Sequence, residues 1–446
     1  MASLFGTDGI RGEPGTYPLD PPTIYTCARS LASHLRERLG RPPRVVTGRD
    51  TRESGRWIEG LVTRALRDME ADVISAGIMT TPGIAYLTRS QQFDAGVVIS
   101  ASHNPVPDNG IKIFASTGAK LDDQLEQAIE ADVRQAAPVT PSATVWLEDG
   151  EELRRHYMDF LIKQVGHQVN LSGLRIGLDC ANGAAYEIAP TVLQALGAEI
   201  QAWGVEPNGV NINQGCGTIH IEALSEQVRQ HGCDLGIAFD GDADRALFVG
   251  PDGRIFDGDH ILFIVATQMK QQGRLNGDLV VGTVMSNWGL EQALRQHEIT
   301  LYRTPVGDRY VLEKLLELNG SLGGEQSGHI IFPQISLAGD GLITAIEVLR
   351  IMSETGSDLD QLSRGFTRHP QLLVNVPVKT KTPFEQVPAI VAEQQQIEHL
   401  LHGRGRLLLR YSGTENKARV MIEADDPVLV HTLAHQLANT IREHLG

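Results

Sequence analysis

Short apolar runs, each followed by a segment with helical spacing, recur along this chain and restrict what it can fold into. Residues 44–48 (RVVTG) read as a buried strand, 55–69 as a helix after it, and 72–76 and 96–100 (GVVIS) as further strands. Strands joined by helical crossovers imply a parallel or mostly parallel sheet covered on both faces. The theme returns with a strand at 175–178 and a helix at 188–196, a strand at 235–239, and a strand at 279–281 followed by a helix at 287–296. Residues 340–352 form a helix pattern whose apolar face is Ile343, Ile346, Val348 and Leu349. A last unit contains the run 372–378, a helix near 384–401, strands at 406–410 and 418–423 and a terminal helix at 428–445. At roughly 150 residues per domain, 446 residues suggest about three domains, with two to four tolerable. The Pro/Ser/Thr-rich run 136–144 (AAPVTPSAT), the turn-rich run 250–259 (GPDGRIFDGD) and residues 367–370 are the expected boundaries. They divide the chain at 1–145, 146–252, 253–366 and 367–446.

Charge narrows the partners. The formal charge of -16 disfavours nucleic acid and anionic membrane as bulk partners, while leaving room for a local basic pocket that holds a small anion. The strongest apolar stretch, 261–266, is too short to span a bilayer. Asp8 and Arg11 fall where a signal peptide would need its apolar run, so a soluble, cytoplasmic protein is expected. The four cysteines are far apart, with no C-x-x-C pair, which suggests neither a disulfide framework nor a structural zinc site. Cys180, Cys216 and Cys233 read as small buried residues.

Residues 97–105 (VVISASHNP) run from a strand into a turn, and Ser102 stands at its tip. Loops at the carboxyl ends of parallel strands are where open α/β sheets place ligands. Ser102 is therefore either a nucleophile or phosphate carrier, or one of several polar residues bonding a local turn. Its flanks do not form G-x-S-x-G, so a hydrolase triad is weakly supported. His103 adjoins it in sequence. Lys112, in GIKIF, is either the solvent-facing side of a short strand or a cation that reaches a substrate.

Asp240, Asp242 and Asp244 in FDGDADR follow an apolar strand at i, i+2 and i+4. If the segment stays extended, their side chains share one side. Crowded carboxylates repel unless a proton or cation neutralises them, and oxygen-only donors suit a hard ion, Mg²⁺ first. A solvated acidic turn is the alternative. An EF-hand is excluded, because its sixth position is Arg245 rather than glycine and its twelfth is Pro251 rather than glutamate. Arg245 suits a phosphate or balances the carboxylates. No G-x-x-x-x-G-K-[ST] is present, which disfavours a P-loop enzyme.

Residues 323–329 (GGEQSGH) place Glu325 and Ser327 where they can bind sugar hydroxyls or an amine, unless the run is simply a polar turn. Near the end, RYSGTENKAR sets Arg410 and Arg419 around Ser412, Gly413 and Thr414. Guanidinium forks, hydroxyls and exposed backbone N–H groups suit phosphate oxygens, although arginines in acidic proteins are often surface ion pairs.

Taken together, FGTDGIRG (5–12), ISASHNPVPDNGIKIF (99–114), FDGDADR (239–245), GGEQSGHI (323–330) and RYSGTENKAR (410–419) resemble the alpha-D-phosphohexomutase family, in an order that covers nearly the whole chain. GTVMSNWGLE (282–291), TPVGDRYV (304–311) and GGEQSGH are similar to the branch that acts on aminosugar phosphates. The resemblance implies three related mixed-sheet α/β domains and a smaller α+β C-terminal domain around a central cleft. It implies a phosphoserine at Ser102 and Mg²⁺ held by Asp240, Asp242, Asp244 and the serine phosphate. Glu325 and Ser327 would contact the sugar. Arg410, Ser412, Gly413, Thr414 and Arg419 would grip the phosphate that is not transferred. Arg11, His103, Lys112, Arg245 and His329 would assist binding or proton transfer. The implied reaction interconverts glucosamine 6-phosphate and glucosamine 1-phosphate through glucosamine 1,6-bisphosphate. Its alternatives are a glucose or mannose phosphate mutase and a metal-dependent sugar phosphatase. Monomer and homodimer stay equally open. One departure is Asn416, where the family motif usually carries proline, so the turn has a looser backbone preference.

Overall fold

The computed structural model describes every residue except 1–3, 7, 137–138, 140–143 and 413–414, so most of the expected 136–144 linker, together with Gly413 and Thr414, lies outside the described residues. The first domain contains β1 (Ile10–Gly12), α1 (Pro21–Leu39), β2 (Arg44–Arg49), α2 (Glu53–Arg67), β3 (Asp72–Ile78), α3 (Thr81–Ser90), β4 (Ala95–Ile99), β5 (Asn109–Ala115) and α4 (Asp123–Gln135). Local chemistry sets the ends of α1. The Asp20 side chain accepts from Thr23 N, prolines occupy the first turn, and Gly40 closes the helix at φ 67°. The sheet order is β1-β5-β4-β2-β3. Its β2 strand runs parallel to β3 and β4, while β5 is antiparallel to both β4 and β1. Every residue of β4 is buried, as a central strand covered on both faces requires.

The second domain repeats the plan with α5 (Glu151–Phe160), β6 (Arg175–Asp179), α6 (Ile188–Ala195), β7 (Glu199–Trp203), α7 (Ile221–His231), β8 (Leu235–Phe239), β9 (Ala246–Val249) and β10 (Ile255–Phe256). Its order, β10-β9-β8-β6-β7, has the same two parallel and two antiparallel pairings. The turn after β9 is thus a hairpin that keeps Ile255–Phe256 on this sheet, a few residues beyond the boundary expected at 252. The third domain has α8 (Gly258–Gln271), β11 (Leu279–Thr283), α9 (Trp288–Gln296), β12 (Thr300–Thr304), α10 (Asp308–Glu317), β13 (Gly323–Gly324), β14 (Ile330–Ile331), α11 (Gly341–Thr355) and α12 (Leu359–Leu362). Its order is β12-β11-β13-β14, with only the last pair antiparallel. The apolar run 261–266 is the buried body of α8 and packs in one continuous core with Phe114 of the first domain, Phe248 of the second and Ile346 of α11.

The C-terminal domain is a three-stranded antiparallel sheet, β15 (Gln371–Pro377), β17 (Lys417–Ala424) and β16 (Gly405–Tyr411), covered by α13 (Pro388–Leu400) and α14 (Pro427–Leu445). It has its own core, built on residues such as Val376, Ile390, Val420 and Leu437. Asn287 stitches it to the third domain. Its side chain caps α9 by accepting from Gly289 N, accepts again from His369 N, and donates to His369 O and Glu423 Oε1. The Asn287 amide donates to Asp259 Oδ2 at 2.8 Å, while Oδ1 of that buried carboxyl has no hydrogen-bond partner among the described residues.

Candidate active site

In each α/β domain, one chemistry-bearing loop joins a strand from the parallel set to its antiparallel neighbour. The β4–β5 loop carries Ser102, the β8–β9 loop carries the aspartates, and the β13–β14 loop carries Glu325, Ser327 and His329. The repeated topology therefore turns equivalent loops toward one another.

Ser102 is buried and sits in the left-handed region at φ 53°, an uncommon place for a side-chain-bearing residue. Its neighbours hold it there. Ser102 N donates to Ser100 Oγ, which donates to Asp50 Oδ2. The Ser102 carbonyl accepts from Arg52 Nη2 at 3.1 Å and Asn213 Nδ2 at 2.9 Å. Across the domain boundary, a Cβ on Gly241 would come within 2.6 Å of that carbonyl, so the approach of the aspartate loop needs glycine there. Ser102 Oγ donates to Asp240 Oδ2 at 2.5 Å and lies 3.2 Å from His103 Nδ1. Burial, reinforced by the Arg245 and Arg11 charges, pulls His103 down to about 4, so the ring is neutral near pH 7.

The aspartates converge by a different route from the extended one expected. The strand stops at Phe239 and the chain turns, with Ala243 at φ 57° and its amide donating to Asp240 O. Strand alternation is replaced by a tight turn, which brings one oxygen of each carboxylate to within 4.8 Å of the others. Burial, and then Asp244 and Asp242, push Asp240 well above the usual carboxylate range. Burial would also raise Asp244, but Lys112, His329 and Arg245 outweigh it and hold this group well below that range. Among the described residues, Asp242 Oδ1 and Asp244 Oδ1 are buried without a hydrogen bond, although Asp244 Oδ1 has His329 Nδ1 at 3.6 Å and Arg245 Nε at 3.7 Å. Three convergent carboxylates with lone pairs left over fit a hard divalent cation.

Lys112 is not the exposed strand residue that one reading allowed. It is buried, and its Nζ lies 2.8 Å from Asp242, 3.3 Å from Asp244 and 3.0 Å from Asp8. Arg11 braces the serine loop by donating to Ala101 O at 2.6 Å and Asn104 Oδ1 at 3.1 Å. Arg245 lies beside Asp244 at 3.7 Å and its amide donates to Asp240 Oδ1. In the third-domain loop, Glu325 Oε1 accepts from Gly307 N, while Ser327 Oγ has no hydrogen-bond partner among the described residues. The imidazole of His329 stands 3.6 Å from both Asp244 and Asp308. Burial disfavours its charge, yet those carboxylates raise it to about 9. These loops share one site. Asp8, Arg52, Thr81, Lys120, Asn213 and Asp308 belong to the same network, although none was among the expected site residues. Asp8 had a visible signal, since it shares the FGTDGIRG loop with Arg11.

The C-terminal cluster stands apart. Arg410 and Arg419 face each other directly across β16 and β17, and Arg419 Nη2 donates to buried Ser412 Oγ at 3.3 Å. Burial, with the Arg419 charge opposite, lowers Arg410. Among the described residues, the hydrogen bonds of this loop stay within the C-terminal domain. The Asn416 carbonyl ties the loop to the end of β15 by accepting from Val378 N at 3.0 Å.

Family models for the phosphoglucomutase/phosphomannomutase alpha/beta/alpha domains I, II and III match residues 2–139, 155–253 and 257–369, and the model for the C-terminal domain matches 373–440. The chain belongs to the phosphoglucomutase/phosphomannomutase family. Within this alpha-D-phosphohexomutase group, a phosphoglucosamine mutase from Solibacter usitatus is 45% identical over 99% of both chains. One from Symbiobacterium thermophilum is 46% identical over 100% of both. Among solved structures, a family protein from Burkholderia thailandensis superposes with a TM-score of 0.81 at 22% identity, covering 99% of this chain and 98% of that one. An N-acetylphosphoglucosamine mutase from Aspergillus fumigatus, solved with GlcNAc-6P and magnesium, gives 0.67 at 19% identity over 98% and 95%. Both structures share this four-domain fold. No helix among the described residues is long and apolar enough to cross a membrane.

Proposed function

We propose that the chain is a cytoplasmic phosphoglucosamine mutase that interconverts glucosamine 6-phosphate and glucosamine 1-phosphate through phosphorylated Ser102 and glucosamine 1,6-bisphosphate. The observation that carries this reading is the 2.5 Å contact between Ser102 Oγ and Asp240, which joins a hydroxyl of one domain to the carboxylate cluster of another. The full-length likeness to phosphoglucosamine mutases supports the substrate class. In this reading the four domains in turn carry the phosphoserine, the metal, the sugar-recognition loop and the phosphate grip.

Asp240, Asp242 and Asp244 would hold Mg²⁺ together with the Ser102 phosphate. The ion supplies a Lewis acid that draws charge from a transferring phosphoryl group. The chain's own residues do the rest. Arg11, Arg52 and Asn213 fix the serine loop so that Oγ keeps its aim. Phosphoryl transfer breaks the P–Oγ bond and forms a bond to the free sugar hydroxyl, and the hydroxyl proton ends on Oγ. His103, neutral and 3.2 Å from that oxygen, is placed to relay it. Lys112, held charged and well above its usual range by Asp242, Asp8 and Asp244 despite its burial, serves as a fixed cation. Glu325, Ser327 and His329 orient the sugar. Arg410, Ser412, Gly413, Thr414 and Arg419 hold the resident phosphate in either orientation of the bisphosphate.

Initial rates on glucosamine, glucose and mannose 6-phosphates test this, each with Mg²⁺ and the matching 1,6-bisphosphate, with isomer and free phosphate followed together. A dominant kcat/KM for the aminosugar with little phosphate released is expected. A preference for glucose or mannose would keep the chemistry and overturn the specificity, whereas phosphate release without isomerisation would indicate a phosphatase.

A further inference from the structure

Six side chains at the meeting point of the three α/β domains form a closed ring of alternating charge. Asp8 lies 3.0 Å from Lys112, which is 3.3 Å from Asp244, which is 3.6 Å from His329. His329 lies 3.6 Å from Asp308, which is 2.7 Å from Lys120, and Lys120 returns to Asp8 at 2.6 Å. The first domain contributes three members, the second one and the third two. All six also line a cavity of about 260 Å³, whose other walls include Phe114, Leu312 and Ile331. Next to this gap, the bonds between the first and third domains are ionic. Lys120 reaches Asp308, and Arg309, the next residue, reaches Asp123 at 2.5 Å and Glu126 at 3.5 Å.

We propose that Lys120 and Asp308 are positioning residues, whose bridge across the cavity closes this ring and fixes the sugar-recognition loop of the third domain against the serine and aspartate loops. Two other members of the ring are tightly held. Lys112 is buried among three carboxylates, and a Cβ on Gly339 would come within 2.1 Å of His329 Nε2, so the imidazole is wedged in place. Lys120 and Asp308, with side chains 20% and 18% accessible, are more exposed than Lys112, Asp244 and His329 but less so than Asp8 at 26%, and within the ring theirs is the bond that runs directly from the first domain to the third. Charges in one network act as a unit, so losing either partner releases the same constraint. A small displacement of a recognition loop penalises turnover, because the reacting oxygen is no longer held in line.

The kinetic part of this inference rests on the mutase reading, so the experiment pairs two readouts. Wild type, Lys120→Met, Asp308→Asn, the double variant and Lys120→Arg are compared for kcat and KM on glucosamine 6-phosphate with Mg²⁺. Amide hydrogen exchange over residues 323–331 is measured on the same proteins. Each single variant is expected to lower kcat about tenfold with KM within about threefold. The double variant is expected to lose no more than either single, Lys120→Arg to recover most of the rate, and exchange to rise wherever the bridge is lost. Additive losses, a loss confined to KM, or unchanged exchange in 323–331 would overturn the positioning role. If wild type does not isomerise the aminosugar, the functional reading falls, and exchange in the same variants still decides whether the bridge holds the loop.

Discussion

The serine–aspartate centre and the C-terminal arginine loop both gather charge, but they resolve it in opposite ways. At the centre, nearly every charge has a buried counter-charge: Lys112 serves Asp8, Asp242 and Asp244, and Arg52 serves Asp50. In the C-terminal loop two arginines sit opposite each other on adjacent strands, and the nearest carboxylate, Glu415, is 3.9 Å from Arg419. Like charges directly opposite in a sheet are destabilising. The first region is assembled before any ligand arrives, as suits groups that stay with the protein through every turnover. The second keeps a like-charge contact that, on the proposed reading, an arriving phosphate would relieve, as would suit a group that must be gripped, released and gripped again.

The comparison breaks outright if Ser102→Ala retains turnover. A loss of at least about 1,000-fold in kcat is expected, because the phosphate carrier is removed and only binding remains. Asp242→Asn comes next. Calorimetric Mg²⁺ titration should show roughly 10- to 100-fold weaker binding, and unchanged affinity would take Asp242 out of the ligand set. Arg419→Ala sharpens the contrast, since KM should rise about tenfold for the loss of one charge-assisted phosphate contact while the unfolding temperature stays level or rises. A fall in stability would mean that the arginine pair is structural.

The smallest effect lies at the joint between the third domain and the last. Burial, and then Asp257, raise Asp259 to about 7. Between its unfolded value near 4 and about 7, the folded chain therefore keeps a proton that the unfolded chain releases. The contribution of this group to stability falls as pH rises through that window. Asp259→Asn, which keeps an acceptor for the Asn287 amide, should raise the unfolding temperature by about 1–3 °C at pH 8 and change it little at pH 5. Equal shifts at both pH values would assign the effect to packing.

Most of the fold was legible because period and punctuation agree. The strand expected at 235–239 is β8, and the helix expected from 287 begins with Asn287 as its cap. The centre was legible where its residues cluster in sequence, as Ser102 with His103 and the aspartates do. Turn conformation was harder to read. The aspartates converge through a left-handed Ala243, and neither its composition nor its spacing announces that conformation. Lys112 looked ambivalent because a strand alone does not say which neighbour will cover it, and here the cover comes from Asp8, Asp242 and Asp244, all remote in sequence. Asp308 and Lys120 were silent for the same reason, as their bridge spans 188 positions.

The placement of the three loops has a consequence for how such an enzyme can change. Each loop hangs from its own sheet at the same point, so one scaffold plan can present three different loops. On the proposed reading, nucleophile, metal cradle and sugar reader would be three sentences written into one repeated grammar and punctuated by the charges that join them. On that reading a new sugar preference could be drafted at Glu325 and Ser327 of the β13–β14 loop, provided that His329 keeps its contact with Asp244.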